Sequence, residues 1–251
     1  MISELFHTFV YTPLYNALIG IIGLGPWTDV GIAVITLTIL VKFALFPVSI
    51  KAARTQRLMK ELEGPSKEIR KKYKDNREEQ GRRLLELYRE KKVNPLSGFV
   101  TLFIQLPVIL GLYWVFLKAG LPNINTDLLY SFVPQPHNIH MAFLGLIDMA
   151  SKSYPLAVLA GISQYFQAHY AIPKPAPRSK DASFQEDFAR SMQLQMKFVI
   201  PIVITVVAYI ASAAVALYWI TSNIFAIGQE IYVKRKMDEE RGQHEETEPQ
   251  T

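Results

Sequence analysis

Charge is sorted into blocks along this 251-residue chain, and that sorting restricts its fold more than any other feature. Residues 198–233 hold one charged side chain, Glu230. Residues 1–41 hold no Lys or Arg, whereas residues 51–98 hold 15. A globular chain spreads charge over every surface element; long apolar blocks separated by basic ones belong to a membrane-spanning chain. Hydrophobic residues make up 50%, which excludes general disorder and a small secreted domain. The absence of Cys excludes disulfides, Cys-based metal sites, a thiol nucleophile and a lipidated cysteine.

A helix needs about 20 apolar residues to cross a hydrocarbon core of about 30 Å. Val30–Ile50 is the first such stretch, introduced by the interfacial anchor Trp27. Gly98–Lys118 is the second, and Tyr154–Tyr170 a weaker third. Phe198–Val233 is too long for one ordinary span, at about 54 Å as a single helix. It reads as two short helices that break at Ala211-Ser212-Ala213-Ala214. No Pro or Gly enforces that break, so one long tilted helix is the alternative. In residues 1–26, Phe6, Phe9, Val10, Leu14, Leu18 and Ile21 recur at helical spacing around Pro13, without the basic start of a signal peptide. An amphipathic helix lying in the interface fits them better than a span.

Of 27 Lys and Arg residues, 24 fall in 51–98, 171–197 and 234–251. The positive-inside rule assigns those segments to the cytoplasm. The expectation is an all-α membrane protein: a five-span helical bundle with a cytoplasmic helical hairpin and an N-terminal interfacial helix. Its parts are the interfacial helix 1–26, span 1 at 27–50, the hairpin 51–97, span 2 at 98–118 and an extracytoplasmic loop 119–153. Span 3 follows at 154–170, a cytoplasmic loop at 171–197, span 4 at 198–211, span 5 at 212–233 and a disordered cytoplasmic tail at 234–251. The N-terminus lies outside and the C-terminus inside.

The hairpin carries two thin apolar seams, Leu58, Met59, Leu62, Ile69 and Tyr73, then Leu84, Leu85, Leu87 and Tyr88. Lys74-Asp75-Asn76 marks the turn, and Gly64-Pro65 should break the first helix. Its 15 basic against eight acidic residues read either as a solvated topology signal or as a docking surface for ribosomal RNA, anionic lipid or a targeting receptor.

An ionisable residue inside a span is a functional hypothesis by default. Lys42 lies toward the cytoplasmic end of the first span, with Thr38 one turn before it. From position alone, snorkelling toward the headgroups accounts for it as well as a functional role does. Other spans add Gln105 with Thr101, Gln164 with Gln167, and a stripe of Ser212, Trp219, Asn223 and Glu230. Each alone fits an interhelical hydrogen bond. With Lys42 they suggest a hydrated cavity lined by Lys42, Thr38, Gln105, Gln164, Trp219 and Asn223. The five His residues and Asp148 read as incidental, and no catalytic residue, metal site or cofactor is expected.

Specific runs carry a resemblance. They are Gly31-Ile32-Ala33-Val34-Ile35 with Leu37-Thr38, Val41-Lys42 to Phe46-Pro47, then Arg57, Met59, Leu62 and Tyr73-Lys74-Asp75. Leu87-Tyr88 and Val93-Asn94-Pro95-Leu96-Ser97-Gly98 follow, then Gln105-Leu106-Pro107 and Gly111-Leu112-Tyr113-Trp114. Leu217-Tyr218-Trp219 and Ser222-Asn223 complete the set. Over residues 28–233 the chain resembles the YidC/Oxa/Alb family of membrane protein insertases, of the bacterial YidC-like type. The Asn94–Gly98 run with Gln105-Leu106-Pro107 is the specific part; the apolar runs alone are not. Where the family usually has Arg in the first span, this chain has Lys42, and its Pro-Ser-Gly break reads Ala211-Ser212-Ala213. No lipoprotein Cys precedes the first span, which points to an uncleaved N-terminal segment.

The resemblance implies a non-enzymatic insertase in the bacterial cytoplasmic membrane. Its spans would enclose a hydrophilic groove closed to the outside, faced by Lys42. It implies nascent membrane proteins and membrane lipid as partners, with the ribosome, the signal recognition particle receptor and the Sec translocon as further candidates, and no small-molecule substrate. Two rival readings are a small-solute transporter or channel, and a membrane-anchored receptor using the basic hairpin.

Overall fold

The computed structural model describes residues 2–93, 106–111, 113–115, 121–136, 138–171 and 190–247. Gln105, the Asn94–Gly98 run and most of the expected second span lie outside the described residues. The chain forms two compact units, one of Met1–Ala44 with Leu106–Gln229, the other of Leu45–Gln105 with Glu230–Thr251.

In the first unit the chain opens with α1 (Ile2–Phe6), a π-helical turn His7–Tyr11 and α2 (Thr12–Ile22). Pro13 does not end the helix: it lies in the first turn of α2, directly after the π-helical turn His7–Tyr11. The sequence reads 1–26 as an interfacial helix; the structure embeds α2 in the core, with Tyr15, Leu18 and Ile19 fully buried. Asn16 fixes α2 to the segment beyond it: its Nδ2 donates to the Leu128 carbonyl (2.7 Å) and its Oδ1 accepts from Tyr130 N–H (2.6 Å).

α3 (Val30–Glu61) starts where the Asp29 carboxylate accepts the Ile32 N–H at 2.8 Å, an N-cap that satisfies an orphan donor. Val30, Ala33, Val34 and Leu37 give it one buried stripe. Asp29 also accepts the Leu144 N–H at 2.9 Å, which ties a β-hairpin to the start of α3. That hairpin, β1 (Ala142–Phe143) paired antiparallel with β2 (Ile147–Asp148), has no counterpart in the sequence reading. Gly31 lets Phe143 lie directly on α3, because any Cβ there would collide with the ring.

α6 (Tyr154–Ala171) and α7 (Ile200–Ala211) pack antiparallel, as Tyr154 meets Tyr209 and Tyr165 meets Phe198. Ala157, Ala160, Gly161 and Ala168 form the small-residue face that permits this approach. A Cβ on Gly161 would collide with Thr205 Oγ1 and stand 3.0 Å from the Pro201 carbonyl.

The apolar run of 198–233 does break, at one residue. Ser212 is extended (φ −174°, ψ 165°) between α7 and α8 (Ala213–Thr247). The Ala213 and Ala214 N–H groups donate to the carbonyls of Ser151 (2.8 Å) and Met149 (3.1 Å). The break is therefore stabilised by a distant loop rather than by a local Pro or Gly. α8 also runs on through residues read from sequence as a structureless tail. Glu, Lys, Arg and Gln there are good helix formers, and the helix already exists to be extended.

In the second unit the last turns of α3 lead to α4 (Glu63–Lys72) and α5 (Arg77–Glu90). The helix stops at Leu62 because Pro65, with no N–H and a ring that crowds the carbonyl four residues back, cannot continue it. Asn76 caps α5 by accepting the Glu79 N–H at 3.1 Å, and Gln80 Nε2 donates to the Arg70 carbonyl at 3.0 Å, joining the two helices. α5 ends in a left-handed Lys92 (φ 53°), with Val93 N–H on the Tyr88 carbonyl at 2.8 Å. The seam between α4 and α5 is thin, and α5 fully buries no residue. Arg57 of α3 pairs with Glu230 of α8 at 3.1 Å, and Arg54 pairs with Glu240.

Among the described residues, three helical stretches are long and apolar enough to cross a membrane: Glu4–Ile22, Val30–Met59 and Arg190–Ala211. α6 and α8 carry more polar residues, among them Gln164, Gln167, Ser222 and Asn223. Of these, Gln164, Gln167 and Asn223 belong to the candidate site.

Candidate functional site

Thr38 and Lys42 sit one turn apart on α3 and meet different surroundings. Thr38 is 2% exposed, and its hydroxyl donates to the Val34 carbonyl at 2.6 Å. This return bond within the helix satisfies the hydroxyl and leaves Thr38 as a core residue. Lys42, one turn further on, is half-buried, beside the exposed Leu40 and Phe43.

Phe43 meets Phe225 of α8 edge-to-face at 5.2 Å, so α3 and α8 lie side by side here. Lys42 and Asn223 each fall within two residues of that contact, which sets them at one level of the unit. Asn223 is 6% exposed and its Nδ2 donates to Ser163 Oγ at 3.0 Å; Ser163 Oγ in turn donates to the Ala160 carbonyl at 2.9 Å. Next to Ser163 on α6, Gln164 Nε2 donates to Gln167 Oε1 at 3.1 Å, and both glutamines are half-buried. The polar groups of α6 and α8 thus form a hydrogen-bonded cross-link at the level of Lys42.

The residues singled out from sequence part into groups. Lys42, Gln164 and Gln167 are half-buried; Thr38, Trp219 and Asn223 are buried; Gln105 lies outside the described residues. Of the stripe Ser212, Trp219, Asn223 and Glu230, the first three are buried in the first unit. Ser212 stands at the head of α8, with its carbonyl accepting the Ala216 N–H, and Glu230 belongs to the second unit, paired with Arg57. Sequence reasoning missed Ser163, the partner of Asn223. Its one signal was its spacing of four from Gln167 on the same helix.

The family model described as 60Kd inner membrane protein matches residues 24–240, from before α3 to within α8. The chain belongs to the 60Kd inner membrane protein family. Similar relatives of this family type are the proteins named membrane protein insertase YidC from Francisella tularensis subsp. novicida (strain U112) and subsp. holarctica (strain LVS). Each is 30% identical over 211 residues, covering 84% of this chain and 33% of the relative. The chain therefore spans about a third of the length of these curated relatives. The family match includes Lys42, Gln164 and Asn223 and leaves out α1 and α2.

Proposed function

We propose that the chain is a membrane protein insertase that eases polar parts of nascent membrane proteins across the bilayer without nucleotide hydrolysis. The observation that carries this is a lysine held half-buried in a membrane-competent helix, level with an amide–hydroxyl cross-link between two neighbouring helices. The insertase name borne by the curated relatives supports the same reading. A charged group at the bilayer centre costs about 2.5–3.5 kcal/mol on insertion scales. A polar surface part-way through the bilayer shortens the dry path, and Lys42 attracts acidic residues of the translocated segment. The apolar part of the client then leaves sideways into lipid, driven by burial of its apolar surface. Five spans with the N-terminus outside, and Lys42 facing a groove open to the cytoplasm, complete the proposal. Nascent membrane proteins are the clients, and the basic hairpin around α4 and α5 is a site for the ribosome or a targeting receptor.

The test is insertion of a small single-span client into liposomes holding the purified protein. Lys42→Arg is expected to insert an acidic-ended client nearly as well as the parent, and Lys42→Ala several-fold less well. A neutral-ended client should suffer less. Normal insertion of every client by a folded Lys42→Ala protein refutes the electrostatic role. Leakage of small solutes through the liposomes would favour a channel instead.

A further inference from the structure

The β1–β2 hairpin presents two of the most exposed aliphatic side chains of the first unit, Leu144 (64% exposed) and Leu146 (84%), on either side of Gly145. Residues 138–147 contain no Lys, Arg, Asp or Glu. The backbone at the tip is self-sufficient in donors. Leu144 N–H goes to Asp29 Oδ2 (2.9 Å), Gly145 N–H to the Ala142 carbonyl (3.2 Å) and Leu146 N–H to the Phe143 carbonyl (2.9 Å). Non-helical backbone is excluded from lipid chiefly by unsatisfied polar groups, and here the three amides that a tip would carry inward are all bonded. Leu144 moreover holds φ at 50°, a left-handed conformation that favours Gly or Asn. A bulky apolar residue kept at a strained position, with its amide clamped by a carboxylate, is an observation that calls for a function.

The hairpin is also fixed at one end of a membrane-competent helix. Asp29 caps α3 and clamps Leu144 with its two oxygens, Phe143 lies on Gly31, and Val30 N–H donates to the His140 carbonyl at 3.0 Å. Trp27, 65% exposed, stands three residues before α3, a residue type favoured at the bilayer boundary. The nearest acid along the hairpin, Asp148, is turned into local bonds with Ala150 N–H and Ser151 Oγ.

We infer that the tip Leu144-Gly145-Leu146 is a lipid anchor, seated at the headgroup–acyl boundary of the leaflet at the N-terminal end of α3. Two leucines and Trp27 fix the depth of that helix end, and through it the depth of Lys42 three turns further on. The occupant of the apolar tip is lipid, because the tip is level with a span end and its donors need no outside acceptor. This rests on the reading of α3 as a span, and the experiment separates the two.

The chain has no native cysteine, so single spin labels report one position each. Labels at Leu144→Cys and Leu146→Cys are measured in proteoliposomes of phosphatidylethanolamine and phosphatidylglycerol. Leu40→Cys serves as the mid-span control and Gln135→Cys as the aqueous one. Collision with oxygen and with a water-soluble nickel chelate is compared by power saturation. The expected result is oxygen-favoured accessibility at 144 and 146, shallower than at 40 and opposite to 135. Chelate-favoured accessibility at 144 and 146 with a lipid-exposed 40 overturns the anchor alone. A label at 40 that meets the chelate overturns the span reading and the anchor with it. Dipolar broadening at 146 that vanishes on dilution with unlabelled protein assigns the tip to contact between two copies and also overturns the anchor.

Discussion

Asp29 shows how much one side chain decides. Its carboxylate serves two backbone donors from distant parts of the chain, Ile32 N–H and Leu144 N–H. Loss of an N-cap and of a second bond to a charged acceptor costs about 1–3 kcal/mol. Asp29→Ala is therefore expected to lower the thermal midpoint of the detergent-solubilised protein by several degrees, with Asp29→Asn falling between. A midpoint unchanged in Asp29→Ala would show that the hairpin is held by the Val30–His140 backbone bond and the packing of Phe143 on Gly31 without the carboxylate. The same residue marks a limit of sequence reading. An acid just before an apolar helix is recognisable as a cap, but nothing in its neighbourhood announces a second partner 115 positions away. Lys42 and Gln164 were legible because a charge or an amide in an apolar block is conspicuous. Ser163 was not, because a lone Ser in a helix is ordinary until Asn223 is placed against it.

At the scale of elements, close helix packing rests on small residues. α6 and α7 approach so closely at Gly161 that a single methyl group has no room against Thr205. Overpacking of this kind costs about 1–3 kcal/mol. Gly161→Ala should destabilise the protein by that amount in thermal unfolding, and Thr205→Ala added to it should recover part, since it removes the nearer of the colliding atoms. Full stability of Gly161→Ala would mean that α6 and α7 slide apart freely. The α4–α5 pair is the opposite case. Its boundaries were readable from Gly64-Pro65 and Asn76, both local devices. What the pattern could not convey is that α3 continues unbroken from the apolar block to Glu61, as the basic residues after Ile50 are as helix-prone as those before.

For the whole molecule, the charge blocks make a topological prediction. In intact cells, a cysteine at Gln135 should react with a membrane-impermeant maleimide added outside, while one at Arg89 should react only after permeabilisation. The reverse pattern would invert the proposed orientation. Helicity, apolar blocks and the sidedness signal follow from composition and periodicity, which act locally and survive in a bare sequence. Tertiary structure alone decided the burial of α2 in the core and the β1–β2 hairpin, and it supplied the distant partners of a break that the sequence reading already placed at Ala211–Ala214. At the break the Ser151 and Met149 carbonyls take the first two N–H groups of α8, and Ser212 Oγ accepts the Val215 N–H. The hairpin exists because Asp29 and Gly31 receive it. Such partners lie scores of residues apart, and a free energy shared between distant groups leaves no period or spacing in the sequence of either.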